Sequence, residues 1–118
     1  MTRRLRSRLL WPLALAAAAG CAEPDLSQPL TGVMIRERLA GRLLVVSELG
    51  RDYRLRLEPN GVAVSSGSVA EFGQWRATEG RGLCLKWHDQ AEACAPVYQT
   101  GAAHYRAGQM QVSVLGQL

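Results

Sequence analysis

From residue 42 onward, short apolar segments alternate with turns. The stretch Tyr53-Arg54-Leu55-Arg56-Leu57 alternates with a period of two, which places Tyr53, Leu55 and Leu57 on the buried face of a strand. Residues 59–61, Pro-Asn-Gly, predict a tight turn because Asn and Gly accept positive φ. Further segments are predicted to be strands, at residues 43–47, 62–64, 73–77, 83–87, 97–100, 104–107 and 110–115.

Residues 31–40 form the one predicted helix. Thr31 is placed to cap its start and Gly41 to end it. Its apolar residues follow a partly helical pattern: Val33, Met34, Ile35 and Leu39. The pattern predicts a mainly β fold, a small antiparallel meander or partly closed barrel of seven or eight short strands with one N-terminal helix, over residues 30–118.

The first 21 residues differ from the rest of the chain. Four arginines lie within residues 3–8, an apolar run covers residues 9–19, and small residues lead to Cys21. This order is typical of an export signal. The apolar run is shorter than the roughly 20 residues that a helix needs to cross a bilayer. We therefore interpret residues 1–21 as a signal peptide and residues 22–29, with two prolines, as a tether.

Two processing routes are open for this signal. Ala18-Ala19-Gly20-Cys21 resembles the bacterial lipobox, whose cysteine is acylated and becomes the new N-terminus. Ala18 departs from that motif, which usually has a branched residue there. Cleavage without lipid, after Ala22 or Ala19, is the alternative. We predict the first route, which gives a periplasmic lipoprotein held on the outer membrane by lipidated Cys21.

The net charge of +4 comes from the predicted signal. Four of the 14 Lys and Arg residues lie there, and all ten Asp and Glu residues follow it. The chain after Cys21 is therefore formally neutral, which disfavours nucleic acid as a partner.

The chain contains three cysteines. If Cys21 carries lipid, Cys84 and Cys94 remain as a pair, and disulfides persist in an oxidising compartment. A zinc site with His88 is the alternative, but the spacing is not CxxC and no fourth ligand is evident. We predict a disulfide between Cys84 and Cys94, and neither metal nor cofactor.

Several motifs in the centre of the chain resemble a known family: Gly73-Gln74-Trp75, Leu83-Cys84-Leu85-Lys86-Trp87, Cys94 and Tyr98, with Leu30-Thr31-Gly32 and Pro59-Asn60-Gly61 before them. The family consists of small exported proteobacterial proteins of unknown function. The resemblance covers most of the mature domain and implies a periplasmic, lipocalin-like β fold. It implies no activity and therefore no functional residues.

The aromatic residues of these motifs have a structural interpretation. Trp75 and Trp87 fall on neighbouring predicted strands, where paired rings bury a large area, and Gly73 lets a ring lie against the backbone. Alternatively, Tyr53, Trp75, Trp87 and Tyr98 line a cavity inside the barrel. The small size of the domain favours a filled interior.

Catalytic motifs are scarce. His88-Asp89 could orient an imidazole for acid–base chemistry, but neighbouring residues of a strand point to opposite faces, and the pair falls in the predicted loop between Trp87 and Cys94. A solvated turn explains it better. The sequence has no phosphate-binding Gly-rich loop, HExxH motif or Gly-x-Ser-x-Gly elbow. We predict that the protein is not an enzyme.

Two hypotheses follow for its function. The first is an interaction module that docks on an envelope complex or enzyme through Arg54, Arg56, His88 and Asp89. The second, the alternative to that prediction, is a lipocalin-like carrier that holds a small apolar ligand between Tyr53, Trp75, Trp87 and Tyr98.

Overall fold

The structure of the protein is a computed structural model in which residues 28–67 and 70–117 are described. The predicted signal peptide, its Cys21 and most of the predicted tether lie outside the described residues. Residues 28 and 29, which complete that tether, belong to no helix or strand.

The described residues form one helix and nine strands. The helix α1 is Gly32–Leu39. The strands are β1 Arg42–Glu48, β2 Arg51–Leu57, β3 Val62–Ser66, β4 Glu71–Thr78, β5 Gly82–Trp87, β6 Ala93–Ala95, β7 Val97–Gly101, β8 His104–Ala107 and β9 Met110–Gln117. The mainly β fold with one helix is confirmed. The sequence does not predict β6, because Ala-Cys-Ala carries neither an alternating pattern nor a β-branched residue.

The strands form one antiparallel sheet that nearly closes into a barrel. Their order is β6-β5-β4-β3-β2-β1-β9-β8-β7. The two outermost strands, β6 and β7, follow one another along the chain with Pro96 alone between them. Since proline has no N–H to donate, it extends neither ladder. The chain therefore changes partner at Pro96, from β5 to β8, and brings the two edges of the sheet together.

The inward-facing side chains make the core of the barrel. Leu55 and Leu57 are buried, and Tyr53 is half-buried on the same face, as the alternation predicts. Arg54 and Arg56 lie on the outer face of β2. The largest fully buried side chains are Ile35, Leu39, Leu44, Val46, Leu55, Leu57 and Val97.

The helix closes one end of the barrel, called here the helix end. Thr31 Oγ1 accepts a hydrogen bond from the Met34 N–H at 3.2 Å, and Gly41, with φ of 70°, follows the helix C-terminus. Both predicted ends are thereby confirmed. The buried face of α1 packs on β1, β4 and β5, and its Gly32 N–H donates to Glu79 Oε1 at 2.9 Å.

The opposite end of the barrel, called here the open end, carries the turns between β1 and β2, β5 and β6, and β8 and β9. None of these described turns contains a helix. The described residues also hold no helix that is long and apolar enough to cross a membrane.

Candidate ligand-binding cavity

The open end of the barrel contains a cavity of about 640 Å³. Pockets that hold small organic molecules usually measure about 300–1,000 Å³. The lining comes from strands on both sides of the seam at Pro96, with β5 and β6 on one side and β8 and β9 on the other. The cavity is therefore of ligand size and opens away from the helix.

Small side chains leave this half of the barrel hollow. The lining includes three alanines on β6 and β8, which are Ala93, Ala95 and Ala107. At the helix end the corresponding space is filled by leucine and isoleucine side chains, among them Ile35 and Leu39. The expected filled interior therefore holds at the helix end and fails at the open end.

Larger side chains give the cavity an apolar wall. Leu83 and Leu85 line it from β5, and Met110 lines it from the start of β9. Leu83, Leu85 and Met110 are each less than a tenth exposed, so they belong equally to the core of the barrel. The wall is thus anchored in the packed interior, where neighbouring side chains restrict its movement.

Tyr53 joins the apolar wall to the polar mouth of the cavity. Its hydroxyl donates to Glu48 Oε1 at 3.1 Å. The Tyr53 hydroxyl oxygen also lies 3.6 Å from Met110 Sδ. Burial, followed by the negative charge of Glu48, raises the pKa of Tyr53 to about 12. The phenol therefore keeps its proton to a higher pH than an ordinary tyrosine does, and its hydrogen bond holds the Glu48 carboxylate at the mouth.

Trp87 on β5 lines the same cavity as Tyr53 on β2. It pairs with Gly73 across β4 and β5, and a Cβ at Gly73 would lie 2.7 Å from Trp87 Cε3. The predicted approach of an aromatic ring to Gly73 is confirmed. Because residue 73 has no side chain, the half-buried indole can occupy this place.

The other two predicted aromatics lie outside the cavity lining. Trp75 is buried toward the helix end, and its indole N–H donates to the carbonyl oxygen of Glu58 at 2.7 Å. Tyr98 lies on β7 opposite Arg106, whose guanidinium sits 5.2 Å from the ring centroid. Of the four aromatics that the carrier hypothesis placed together, the structure brings Tyr53 and Trp87 to one cavity.

Met110 and Glu48 are lining residues that the sequence does not indicate. They face one another in the register between β1 and β9. This pairing joins residues about sixty positions apart, so no local pattern reveals it. The alternation of β1 does place Glu48 on the same face as Leu44 and Val46, which is the signal that could have found it.

The residues predicted to contact a partner lie in two separate places. Arg54 and Arg56 are on the outer face of β2, where Arg56 Nη2 is 3.9 Å from Glu58 Oε2. His88 and Asp89 form the turn after β5, with Nε2 and Oδ2 3.2 Å apart and both side chains more than four-fifths exposed. Strands β3 and β4 separate the two groups.

A disulfide fixes the wall formed by β6. Cys84 and Cys94 are bonded to each other and pair across β5 and β6, which confirms the predicted bridge. Beside them, Glu92 accepts two hydrogen bonds from Arg76, at 2.8 and 2.7 Å, which lower the pKa of its carboxyl group. Glu92 lies close to both sulfur atoms, but a disulfide offers no thiolate to a metal.

Fold and site together define a small antiparallel β-barrel with a helix at one end and a ligand-sized cavity at the other. No known protein-family model matches the chain, and no solved structure matches it significantly. The resemblance to exported proteobacterial proteins therefore stays a prediction.

Proposed function

We propose that this protein binds a small, largely apolar molecule in the cavity at the open end of its barrel and acts as a carrier without catalysis. The observation that carries the proposal is the cavity itself, about 640 Å³ with an apolar wall and a polar mouth. Binding sites for small molecules combine these same features, since apolar walls supply affinity and a few polar groups fix orientation.

The apolar wall gives the proposal a quantitative expectation. Each methylene group that moves from water into such a wall contributes about 0.8 kcal/mol, which is about a fourfold decrease in Kd. In a series of alkyl compounds, affinity should rise by up to this factor per carbon until the cavity is full. Beyond that length, further carbons should add nothing because they remain in water.

Tryptophan fluorescence tests this expectation directly. Alkyl glucosides of six to ten carbons, used below their micellar concentrations, are titrated into the full chain. Trp87 lines the cavity and Trp75 does not, so Trp87→Phe should abolish the saturable change in emission while Trp75→Phe keeps it. Absence of saturable binding across the series would refute the carrier function.

A variant that fills the cavity supplies a second readout. Ala93 lines the cavity and is exposed, so Ala93→Leu can place its side chain in the cavity with little disturbance to the core. We expect this variant to lose binding in calorimetry. The matched control is Ala102→Leu, in the exposed turn between β7 and β8 at the helix end. Equal binding by both variants would place the ligand elsewhere.

We also propose that the protein works in the periplasm, anchored to the outer membrane through lipid on Cys21. The charged start, apolar run and lipobox-like end of residues 1–21 support this location, and a disulfide is compatible with it. The non-reduced denatured mass of protein from its own host tests it. A diacylglyceryl group on Cys21 is expected; an unlipidated chain that begins after Ala22 would contradict it.

Docking on an envelope protein, the other hypothesis from the sequence, stays a prediction. Native mass spectrometry of protein gently extracted from the host envelope separates the two functions. A small-molecule adduct supports the carrier, whereas a stable 1:1 protein complex supports the interaction module. In the second case, charge reversal at Arg54 and Arg56 should abolish the complex without lowering the melting temperature.

A further inference from the structure

We infer that the ligand of the cavity carries a positive charge at one end, as an alkylammonium compound does, and that Glu48 and Glu71 receive this charge at the mouth. The inference rests on the proposed function, since it names the class of molecule that the cavity takes. The apolar part of the ligand would lie against Leu85, Met110 and Trp87.

The charges at the mouth are unequal. Three carboxylates line it, from Glu48, Asp52 and Glu71, against one guanidinium, from Arg51. In the described part of the chain, none of these four side chains has an opposite charge within 4.0 Å. The negative excess is therefore not neutralised by ion pairs with neighbouring strands.

Two of the carboxylates belong to inward-facing rows of the barrel. Glu48 continues the row of Leu44 and Val46 on β1, and Glu71 begins the row of Gly73 and Trp75 on β4. A carboxylate at the end of an inward row stands over the cavity opening, so a cation there is attracted while an apolar body remains below it. Asp52 and Arg51 are exposed beside the turn between β1 and β2.

The groups below the carboxylates also suit a cation. The Tyr53 hydroxyl donates a hydrogen bond to Glu48 Oε1 at 3.1 Å, which orients that carboxylate at the mouth. The Trp87 ring lines the same cavity, and aromatic rings attract ammonium groups through their negative faces. An anionic head group would instead meet Glu48 and Glu71, and like charges repel it.

Three probes with the same eight-carbon chain separate the possibilities: octyltrimethylammonium, octyl glucoside and octyl sulfate, each below its micellar concentration and at low salt. By calorimetry on the full chain, octyltrimethylammonium should bind about fivefold or more tighter than octyl sulfate, with octyl glucoside between them. The difference should shrink at high salt, because exposed charges are then screened.

Removing the carboxylates identifies the residues responsible. The double variant Glu48→Gln with Glu71→Gln should lose the preference for the ammonium probe, measured as the ratio of the dissociation constants of octyl sulfate and octyltrimethylammonium. The control is Glu37→Gln, an exposed helix carboxylate outside the cavity lining, which should change nothing. A preference that survives the double variant would overturn the role given to these residues.

The remaining outcomes distinguish this inference from the function on which it rests. If octyl glucoside and octyl sulfate bind as tightly as the ammonium probe, the carrier function stands and the positive charge of the ligand is refuted. If none of the three probes binds, the carrier function itself fails.

Discussion

Trp87 and Gly73 are partners across β4 and β5, and the indole ring lies directly against the glycine. A Cβ on residue 73 would be 2.7 Å from Trp87 Cε3 and 2.5 Å from the carbonyl oxygen of Lys86, closer than such atoms approach in proteins. The absence of a side chain at residue 73 therefore sets where Trp87 stands in the cavity wall. The contact between Gly73 and Trp87 therefore serves both the packing of β4 on β5 and the proposed binding site.

The variant Gly73→Ala should accordingly affect both stability and binding. Its methyl group meets backbone as well as ring, so the strands must shift, and overpacking of this kind costs about 1–3 kcal/mol. Urea unfolding measures the loss, and the alkyl glucoside titration should show weaker binding because Trp87 is displaced.

The matched control for this change is Gly80→Ala. A Cβ at Gly80 meets no atom of residues 28–67 or 70–117 within 4 Å, so its substitution should alter the free energy of unfolding by less than about 0.5 kcal/mol. Equal losses in the two variants would mean that the contact with Trp87 does not limit residue 73.

Trp75 and Trp87 should respond differently to truncation. The Trp75 indole donates to the Glu58 carbonyl oxygen, which also accepts from the Gly61 N–H at 3.0 Å. Trp75→Phe removes one of these bonds, worth about 0.5–1.5 kcal/mol, together with buried ring area. Trp87→Phe, at a half-buried place, should lower stability less and binding more. Melting temperatures and calorimetric titrations of both variants check this; a Trp75→Phe variant as stable as the parent protein would contradict it.

Local chemistry accounts for most of what the sequence could predict. The alternation of residues 53–57 follows from one buried and one solvated face, and Thr31 and Gly41 mark the helix because its ends need partners or a left-handed turn. The pairing of Cys84 with Cys94 followed from counting the cysteines. Each of these features can be recognised from a few neighbouring residues or from a count of one residue type.

The carrier hypothesis places Tyr53 and Trp87 in a cavity, but the rest of the lining could not be predicted, because it depends on contacts between distant segments. Glu48 meets Met110 only through the pairing of β1 with β9, and Ala93, Ala95 and Ala107 leave space only because the seam brings β6 near β8. The carrier hypothesis places Tyr98 in the cavity, whereas the register pairs it with Arg106, outside the cavity lining. Residue type alone does not tell which face of a short strand is buried.

The raised pKa of Tyr53 predicts a loss of stability at high pH. The value moves from 10.0 to about 12, so the folded chain binds this proton more tightly than the unfolded chain does. The contribution of this proton to the free energy of unfolding is complete below pH 10 and is lost as the pH rises through about 12. In urea unfolding at pH 9, 10 and 11, the free energy of unfolding should decline less with pH for Tyr53→Phe than for the parent protein.

Tyr98→Phe is the matched control for this experiment, since Tyr98 lies outside the cavity. Its decline should follow that of the parent protein. Absorbance of tyrosinate at alkaline pH gives a second measurement, in which the difference between parent and Tyr53→Phe should develop as the pH rises through about 12. Parallel declines for all three proteins would show that Tyr53 does not keep its proton in the fold.

The disulfide should stabilise both the barrel and the cavity wall. Cys84 and Cys94 are ten residues apart, and closing a loop of this size contributes about 2–4 kcal/mol, largely by restricting the unfolded chain. The double variant Cys84→Ser with Cys94→Ser should lose this amount in urea unfolding. Among the described strands, β6 pairs with β5 alone, so ligand binding should weaken beyond the loss that global unfolding explains.

Two comparisons separate the disulfide from the neighbouring ion pair. Arg76→Gln removes the hydrogen bonds to Glu92 but keeps the disulfide. This variant should lose less free energy of unfolding than the double serine variant does, because Arg76 and Glu92 are both solvated. Reduction of the parent protein should reproduce the behaviour of the double serine variant. If the reduced protein binds alkyl glucosides as tightly as the oxidised one, β6 keeps its place without the bridge, and the hydrogen bonds of β5 are then sufficient to hold the wall.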